Sequence, residues 1–552
     1  TMSSAQQRVL NKKLSQIFRM RGLSLRPDAM QPLYDCLETD ENWESTLQAL
    51  LAAVQAGPLK DNAVDGASVR RALGQLETRS SCATELPLEV VDADAMTPLK
   101  FVTARKQFLP TAPGSLHGPA ESKQTMFALR LQLLEQRLKR NVLFKPPALS
   151  HGVNQKEHIQ LTHIDALLGR KGPRVVLGLL TEMEEGRFHL EDAHSAIPLD
   201  LSQAETHKGL FTRNSVVVME GEVQPSGAFL VSTVGLPPYE ARHESVAALG
   251  GLDLLYPAHN VDGGGGGGGA AAAAAALAPK AADEVEQNAM LIVLSDVWLD
   301  QPSVLEKLEV LFSGYEQVGS EELRCGPRAM RPRAAFFCFV LCGNFVSPLG
   351  AAANTKRSQL RALFARLAQL LAKRPTLAKH AHFVFVPGPD DASTTSPDVL
   401  PRAALPDAIA GDVLREVLAN CHLTTNPARL SLCGQSVVIF REQLLSKMRR
   451  SCVLPPNEEE SEDLNEHLVK SVLDQAHLCP LPPTELAVYW QYDHALWLHP
   501  SPDVLILADR HNQYQLPYEE TLALNPGSFA SDFAWQVYRP NKRMEAERSS
   551  LA

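Results

Sequence analysis

The sequence predicts a multi-domain α+β protein, with a small helical bundle first, a small β-barrel next and an α/β sandwich in the C-terminal half. Three observations predict this arrangement. Apolar residues recur at helical spacing near the N-terminus, short strands follow one another between about residues 159 and 238, and apolar strands alternate with helices from residue 289 onward. A chain of 552 residues is also too long for a single hydrophobic core.

The composition is that of a globular protein and limits the classes of function. The formal net charge is −10, whereas proteins whose main task is gripping DNA are usually basic. Any contact with DNA is therefore predicted to be weak or indirect. The longest strongly apolar run, Ala334–Cys342, is too short to span a bilayer, so we expect no membrane association. The nine cysteines form no CxxC pair, which predicts no zinc site and a reducing compartment.

The helical N-terminal region is predicted to span residues 1–78 and to act as a packing module. Val9, Leu10, Leu14 and Ile17 share one helical face, and further helices follow to about residue 76. Residues 79–145 are predicted to be a linker that carries one amphipathic basic helix. The basic residues of that helix are interpreted as a solvated face, with contact to nucleic acid or an acidic partner as the alternative; they are Arg130, Arg137, Lys139 and Arg140.

Residues 146–240 are predicted to form a barrel of the OB type, because five short strands occur in about 80 residues. The predicted strands are Val175–Leu180, Phe188–Leu190, Ile197–Leu201, Val216–Met219 and Phe229–Val234. A barrel that binds single strands needs aromatic platforms and a basic groove. This one offers few of either, so a structural role is favoured and single-strand DNA binding stays open as the alternative.

The remaining boundaries follow from composition and periodicity. Residues 241–288 form a low-complexity loop, since 263–276 are seven glycines followed by seven alanines with almost nothing to bury. Residues 289–540 are predicted to be the α/β sandwich, with buried strands that alternate with helices. Residues 541–552 are predicted to be a tail.

In open α/β folds, function lies in the loops that follow the carboxyl ends of the strands. Four such loops are LSDVW after residue 293, LCGNF after 340, VPGPDD after 385 and NPGSF after 524. Their order and spacing resemble the calcineurin-like metallophosphoesterases, which carry Asp-x-His, Gly-Asp-x-x-Asp, Gly-Asn-His-Asp/Glu and Gly-His-x-His. Those enzymes use two metal ions to clamp a phosphoester.

The resemblance implies a metal site that has lost its ligands. Only Asp296 keeps a carboxylate, whereas Trp298 replaces a His, and an indole N–H cannot ligate a cation. The other positions carry no matching ligand: Asn344 for the bridging Asp, Pro389 for Asn, Asp390 for the catalytic His, and Asn525 to Ser528 without any imidazole. We therefore expect no catalytic residue, no bound metal and no cofactor, and a packed site in which Trp298 is partly buried. His477 is interpreted as a surface or core histidine.

Taken together, the chain resembles the B subunits of eukaryotic replicative DNA polymerases, that of the epsilon enzyme in particular. The resemblance covers nearly the whole chain and rests on LSDVWLDQ, LCGNF, FVFVPGPD, TTNP, Phe440-Arg441-Glu442, QAHLCPLP and NPGSF in this order. Gly209-Leu210 and the GLPP of residues 235–238 add to it in the barrel region. Two stretches depart from the family pattern, the Gly/Ala tract and Val318–Arg333, which is predicted to be a loop insertion.

The resemblance implies a non-catalytic accessory subunit in the nucleus that takes part in DNA replication and repair. Its implied partners are the zinc-bearing C-terminal region of the catalytic subunit, the replicative helicase through GINS, and the small histone-fold subunits of the same complex. An active metal-dependent phosphoesterase is the rival hypothesis from another class. Metal-dependent cleavage that disappears in Asp296→Ala would favour that rival.

Overall fold

The computed structural model describes residues 87–102, 107–145, 158–167, 169–249, 287–324, 336–352, 357–396 and 398–551, with a few isolated positions before residue 87. The predicted N-terminal helical bundle, apart from those positions, and the Gly/Ala tract therefore lie outside the described residues. No helix in the described ranges is both long and apolar enough to cross a bilayer.

Two short strands, Ser24–Leu25 and Ala63–Val64, pair in parallel within the predicted helical region. The next described elements belong to the segment predicted to be a linker. They are the strands β1 (Leu88–Val91), β2 (Leu99–Val102) and β3 (Gln107–Pro110), and the helix α1 (Glu121–Arg140). The interpretation of this segment as a linker is corrected, because β1 pairs with a strand of the C-terminal half and β2 pairs with β3. The sequence missed these strands because they are only four residues long and lie among prolines.

A closed β-barrel comes next along the chain and contains the five predicted strands. Its strands are β4 (Arg174–Glu184), β5 (Arg187–Glu191), β6 (Ala196–Asp200), β7 (Glu205–Thr206), β8 (Val216–Val223) and β9 (Phe229–Gly235). The order is β8-β4-β5-β6-β9-β7, and antiparallel pairing of β8 with β9 closes the barrel. Phe211, Phe229 and Val231 are fully buried among its core residues. The helix α2 (Arg242–Ala248) follows the barrel, which corrects the start of the loop predicted over residues 241–288.

The C-terminal half contains two six-stranded sheets. Its elements begin with β10 (Ala289–Ser295), α3 (Pro302–Arg324), β11 (Phe336–Cys342), α4 (Pro348–Ala352), α5 (Arg357–Ala372), α6 (Pro375–His380), β12 (His382–Val386), β13 (Val399–Leu400), α7 (Asp412–Arg415) and β14 (Asn420–Leu423). They continue with β15 (Ala428–Leu432), β16 (Gln435–Arg441), α8 (Leu444–Arg450), α9 (Leu464–Asp474), β17 (Ala487–Val488), β18 (Val504–Ala508), β19 (Tyr514–Tyr518), β20 (Thr521–Asn525), α10 (Phe529–Asp532), β21 (Ala534–Tyr538) and β22 (Ala546–Ser550).

The two sheets pack face to face between two helical layers. One sheet has the order β14-β12-β11-β10-β21-β22, and the other has the order β19-β20-β18-β16-β15-β1. In β10, Leu291 and Val293 point between the sheets, whereas Ile292 and Leu294 point to the helices, as period-two alternation requires. Both faces are covered, which explains why the sequences of these strands are continuous apolar runs.

Three sequence interpretations are corrected by the architecture. The predicted loop insertion Val318–Arg333 begins inside a helix, because α3 continues to Arg324. The predicted tail contains β22, which pairs antiparallel with β21 at the sheet edge. The basic face of α1 is only partly solvated, since Arg130 and Arg137 are 7% and 2% exposed.

Candidate functional site: the loops at the strand ends

The predicted site lies where strands from both sheets end. Asp296 follows β10, Gly343 and Asn344 follow β11, and Pro387 to Asp391 follow β12. Strands β16, β18 and β20 of the other sheet end beside them. Because parallel strands present their carboxyl ends at the same edge, residues far apart in sequence meet here.

Asp296 is held by two guanidinium groups, and these three residues are called the Asp296 cluster. Arg441 Nη2 donates to Asp296 Oδ1 at 2.7 Å, and Arg510 Nε donates to Asp296 Oδ2 at 3.1 Å. Asp296 and Arg441 are fully buried. The φ angle of Asp296 is 55°, in the left-handed region that Asp tolerates better than most residues. Both carboxylate oxygens therefore face cations supplied by the chain itself.

Arg441 also fixes the loops around the carboxylate. Its Nε donates to the carbonyl of Gly343, and its Nη1 donates to the carbonyl of Ala508 at 3.1 Å. Burial lowers the pKa of Arg441, but the charge and hydrogen bond of Asp296, together with the charges of Asp509 and Glu442, raise the pKa above its ordinary value. The guanidinium stays charged and joins the ends of three strands.

Trp298 covers the cluster on its outer side. The Arg510 guanidinium lies 5.8 Å from the centre of the indole ring, a cation–π contact. Trp298 is partly buried, as predicted, and its Nε1 is a buried donor without a hydrogen-bond partner among the described residues. The indole serves as an apolar cover and offers no lone pair to a cation.

Asn344 and Asp390 bind each other. Asn344 Nδ2 donates to Asp390 Oδ2 at 2.6 Å, and the Asp390 backbone N–H donates to Asn344 Oδ1 at 3.0 Å. The Asn344 side chain is buried, whereas Asp390 is exposed and Pro389 is partly buried. These three positions tie the loop after β11 to the loop after β12.

Asp391 is a further carboxylate of the site, in the predicted loop after β12 but without a predicted role. It accepts hydrogen bonds from the backbone N–H groups of Phe345 and Gly388, each at 2.7 Å. Burial raises the pKa of Asp391 to about 6, partly offset by these two hydrogen bonds. A Cβ atom on Gly343 would lie 1.8 Å from Asp391 Oδ2, so only glycine permits this close approach.

Asn525 and Ser528 shape the last loop of the predicted site. Asn525 Oδ1 accepts from the backbone N–H of Asp509 at 3.1 Å, and its Nδ2 donates to the carbonyl of His511 at 3.0 Å. Ser528 is buried and precedes α10. Asn525 thus positions the loop that carries Arg510.

His477, interpreted from the sequence as a surface or core histidine, is a buried core histidine. It belongs to the Asp493 cluster, which consists of Asp493, Arg130, His477 and Trp497. Asp493 accepts from Arg130 Nε at 3.1 Å, His477 Nε2 at 3.2 Å and Trp497 Nε1 at 3.0 Å. Burial lowers the pKa of His477 to about 4, and the charge of Arg130 adds to this shift. This cluster attaches α1 to the C-terminal half.

The side chains of the predicted site hold one another through ion pairs and hydrogen bonds. Within the described ranges, no three His, Cys, Asp or Glu side chains come together in a way that could hold a metal ion. The sequence brought Asp296, Trp298, Asn344, Pro389 and Asp390 to one place. It named Arg441 and Asp391 only as parts of motifs, without a role in the site, and it missed Arg510. Only their position at the end of a strand, or in the loop that follows one, could have pointed to these three residues.

Comparison with known protein families covers three parts of the chain. The model described as the B subunit of DNA polymerase alpha/epsilon matches residues 291–516, and the DNA polymerase epsilon subunit 2-like OB-fold domain matches residues 120–238. The model described as DNA polymerases epsilon N terminal matches residues 6–76. The prediction of an OB-fold domain is confirmed.

Full-length relatives agree with these matches. The DNA polymerase epsilon B subunit of Arabidopsis thaliana is 33% identical over 100% of both chains. DNA polymerase epsilon subunit 2 of Homo sapiens is 35% identical over 98% of both chains. A solved archaeal phosphodiesterase aligns with 48% of this chain at 12% identity and a TM-score of 0.23, too low to bear on fold or function. The chain belongs to the family of DNA polymerase epsilon B subunits, as its strand-end motifs predicted.

Proposed function

We propose that the chain is a non-catalytic subunit of the DNA polymerase epsilon complex, built on a phosphoesterase-type sandwich whose metal site has become a packed joint. One observation carries the proposal: both oxygens of Asp296 are engaged by Arg441 and Arg510. A binuclear metal centre needs several anionic or imidazole ligands in a fixed array. Here the carboxylate is already neutralised, and the neighbouring positions hold an indole and an amide.

The guanidinium groups also oppose the entry of a cation. A metal ion at Asp296 would lie beside Arg441, which is fully buried and charged. Repulsion between like charges is strong where water is excluded. Removal of Arg441 would in turn take a hydrogen-bond donor from the Gly343 and Ala508 carbonyls. The site is therefore stable as an ion pair and unsuited to catalysis.

The same proposal gives the chain the role of a scaffold in the nucleus. Its relatives are named as subunits of DNA polymerase epsilon. We place the C-terminal region of the catalytic subunit, which carries zinc, on the barrel and sandwich, and the small histone-fold subunits in the same complex. The N-terminal region would contact the replicative helicase through GINS. Full-length similarity to these relatives supports this assignment.

A metal and activity assay tests the loss of catalysis. Purified chain is incubated with Mn²⁺ and a phosphodiester substrate, and bound metal is measured after dialysis. We expect no stoichiometric metal and no cleavage above that of the Asp296→Ala variant. Cleavage that depends on Mn²⁺ and vanishes in Asp296→Ala would sink the proposal.

Copurification tests the scaffold role. The full chain and the C-terminal region of the catalytic subunit are coexpressed and separated by size. We expect one complex at equal stoichiometry that survives moderate salt. Separate elution of the two proteins, with the present chain folded by circular dichroism, would remove the scaffold proposal and leave the family membership intact.

The charge of the barrel disfavours the alternative of single-strand DNA binding through the OB fold. Residues 174–235 carry four Lys and Arg against nine Asp and Glu, a formal net charge of −5. Binding of single strands relies on a basic groove that follows the phosphates. The barrel repels such a ligand, which is consistent with a structural role.

A further inference from the structure

One stretch of this acidic chain contains no acidic residue. Between positions 351 and 389 the sequence has seven Lys and Arg and no Asp or Glu, whereas the whole chain has 63 acidic and 53 basic residues. The basic residues are Lys356, Arg357, Arg361, Arg366, Lys373, Arg374 and Lys379. The stretch includes α5 and α6, which cover the outer face of the first sheet.

The fold directs most of this charge to solvent. Helix α5 buries Phe364, Leu367 and Leu371 against the sheet. Five exposed cations lie on the opposite side of the two helices, and together they are called the basic helix face: Arg357, Arg361, Arg366, Lys373 and Lys379. Small or neutral exposed residues lie between them, namely Ser358, Ala362 and Gln369. A chain of phosphates could approach this surface closely.

Three of the five cations have no ion-pair partner among the described residues: Arg357, Arg366 and Lys379. The other two are paired loosely at the rim, Arg361 with Asp412 at 3.4 Å and Lys373 with Glu309 at 3.2 Å. Exposed pairs of this kind contribute little stability and exchange readily with other anions. The basic helix face therefore has free positive charge to offer.

The chemistry of the surface favours nucleic acid over protein. No large apolar side chain is exposed on α5 or α6 within the described residues. Protein interfaces usually have an apolar or aromatic core, whereas interfaces with DNA are polar and strongly positive. Single strands need aromatic platforms, and the five exposed cations have no exposed aromatic among them. A duplex needs only phosphate contacts.

We propose that the basic helix face binds the phosphate backbone of duplex DNA without reading its sequence. Helix α5 has 16 residues and so extends about 24 Å. Duplex DNA carries one charge per about 1.7 Å of its axis, so several phosphates lie within reach of the face. This contact is separate from the barrel and from the Asp296 cluster.

Salt-dependent titration of fluorescent duplex DNA with the full chain tests the proposal. The variant Arg357→Gln, Arg366→Gln, Lys379→Gln removes the three free cations. We expect affinity at 50 mM salt to fall at least tenfold. The slope of log K against log salt should decrease by roughly 0.9 for each lost phosphate contact, or about 2.7 in total.

A matched variant separates this face from net charge. Lys123→Gln, Arg170→Gln, Lys171→Gln removes three exposed cations that lie elsewhere, and we expect a loss below threefold with an unchanged slope. Equal losses in both variants would overturn the proposal, as would the absence of wild-type binding at 50 mM salt. Tighter binding of polyglutamate than of DNA, lost in the first variant, would reassign the face to an acidic protein.

Discussion

The Asp296 cluster and the Asp493 cluster each bury an aspartate against an arginine, yet they connect the molecule differently. Arg441 and Arg510 reach Asp296 from strand ends of the same sandwich. Arg130 reaches Asp493 from α1, which also packs on the barrel through Leu131 and Leu134. One cluster joins strand ends within a domain, and the other holds two domains together. The difference shows that a buried ion pair can fix loops within one domain or attach one domain to another.

The partners differ in chemistry as well as in location. Both partners of Asp296 are guanidinium groups, which remain charged at all accessible pH values. Asp493 shares its oxygens between Arg130 and His477, and His477 accepts from the backbone N–H of Cys479 at 2.9 Å through Nδ1. The imidazole proton must then lie on Nε2, and the folded protein favours the neutral ring. Acid should therefore destabilise the Asp493 cluster more than the Asp296 cluster.

The largest effect is expected from Arg441→Met. The substitution leaves Asp296 fully buried with only Arg510 opposite one oxygen, and it removes donors from the Gly343 and Ala508 carbonyls. Loss of one partner of a buried ion pair costs about 3–5 kcal/mol. Urea unfolding followed by tryptophan fluorescence measures the loss.

Arg429→Met is the matched control, because Arg429 is also buried but donates to the carbonyls of Ala495 and Trp497 and to no carboxylate. We expect the loss in free energy of unfolding to be smaller than that of Arg441→Met by at least about 1 kcal/mol, since Arg429→Met leaves no buried anion behind. Equal losses in the two variants would mean that the buried anion adds nothing to the cost.

The next largest effect is expected from Arg130→Met, at about 2–3 kcal/mol. Asp493 loses a charged partner but keeps the donors His477 Nε2 and Trp497 Nε1. Its buried negative charge therefore stays partly compensated by hydrogen bonds. Because α1 lies between barrel and sandwich, limited proteolysis should also cut the chain more readily near α1. A stability loss equal to that of Arg441→Met, with unchanged proteolysis, would contradict the interdomain role.

The two regions should respond to pH with opposite signs. The pKa of His477 is lowered to about 4 in the folded protein, so the unfolded chain binds the extra proton and stability falls as pH drops from 6.5 toward 4. The pKa of Asp391, beside the Asp296 cluster, is raised to about 6, so the folded chain binds the extra proton and stability increases as pH drops from 6 toward 4.

Two variants isolate these contributions between pH 7 and pH 5. The advantage of wild type over His477→Gln should shrink by roughly 2 kcal/mol, because glutamine does not titrate. The advantage of wild type over Asp391→Asn should grow by roughly 1 kcal/mol over the same interval. Urea midpoints at both pH values check the signs, and changes in the same direction for both variants would refute the contrast.

The sequence predicted the parts of the fold that local patterns encode. Continuous apolar runs located β10, β11 and β12, and alternation located five barrel strands. Strands β14, β19 and β22 were missed, because edge strands lack the apolar run of a central strand. Strands β20 and β21 lie inside their sheets but were also missed, because polar residues interrupt or end their apolar runs. Pairing of β22 with β21 depends on the tertiary structure, and no local sequence pattern predicts it.

The sequence predicted those residues of the site that directly follow a strand. The positions of Asp296 and Asn344 were evident from the strands before them, but the pairing of Asp296 with Arg441 joins residues 145 positions apart. The burial of Arg130 did have a local signal, because Arg130 lies four residues after Met126 and four before Leu134, both buried. Charge alone was a misleading guide to exposure on α1.

The smallest effect is expected from Arg510→Gln, which tests whether Arg441 alone keeps the site closed to metal. The Arg510 side chain is 32% exposed, so its loss should cost only about 1 kcal/mol. Arg539→Gln is the control, because Arg539 binds Glu547 at the same Nε–oxygen distance of 3.1 Å with a half-exposed carboxylate. We expect its cost to be smaller, since Asp296 is fully buried and Glu547 is not. Calorimetry with Mn²⁺ should show no binding to either variant, because Arg441 still neutralises Asp296. Stoichiometric Mn²⁺ binding to Arg510→Gln would mean that a single side chain masks a working metal site, and the Asp296 cluster would then be a reversible block instead of a replacement.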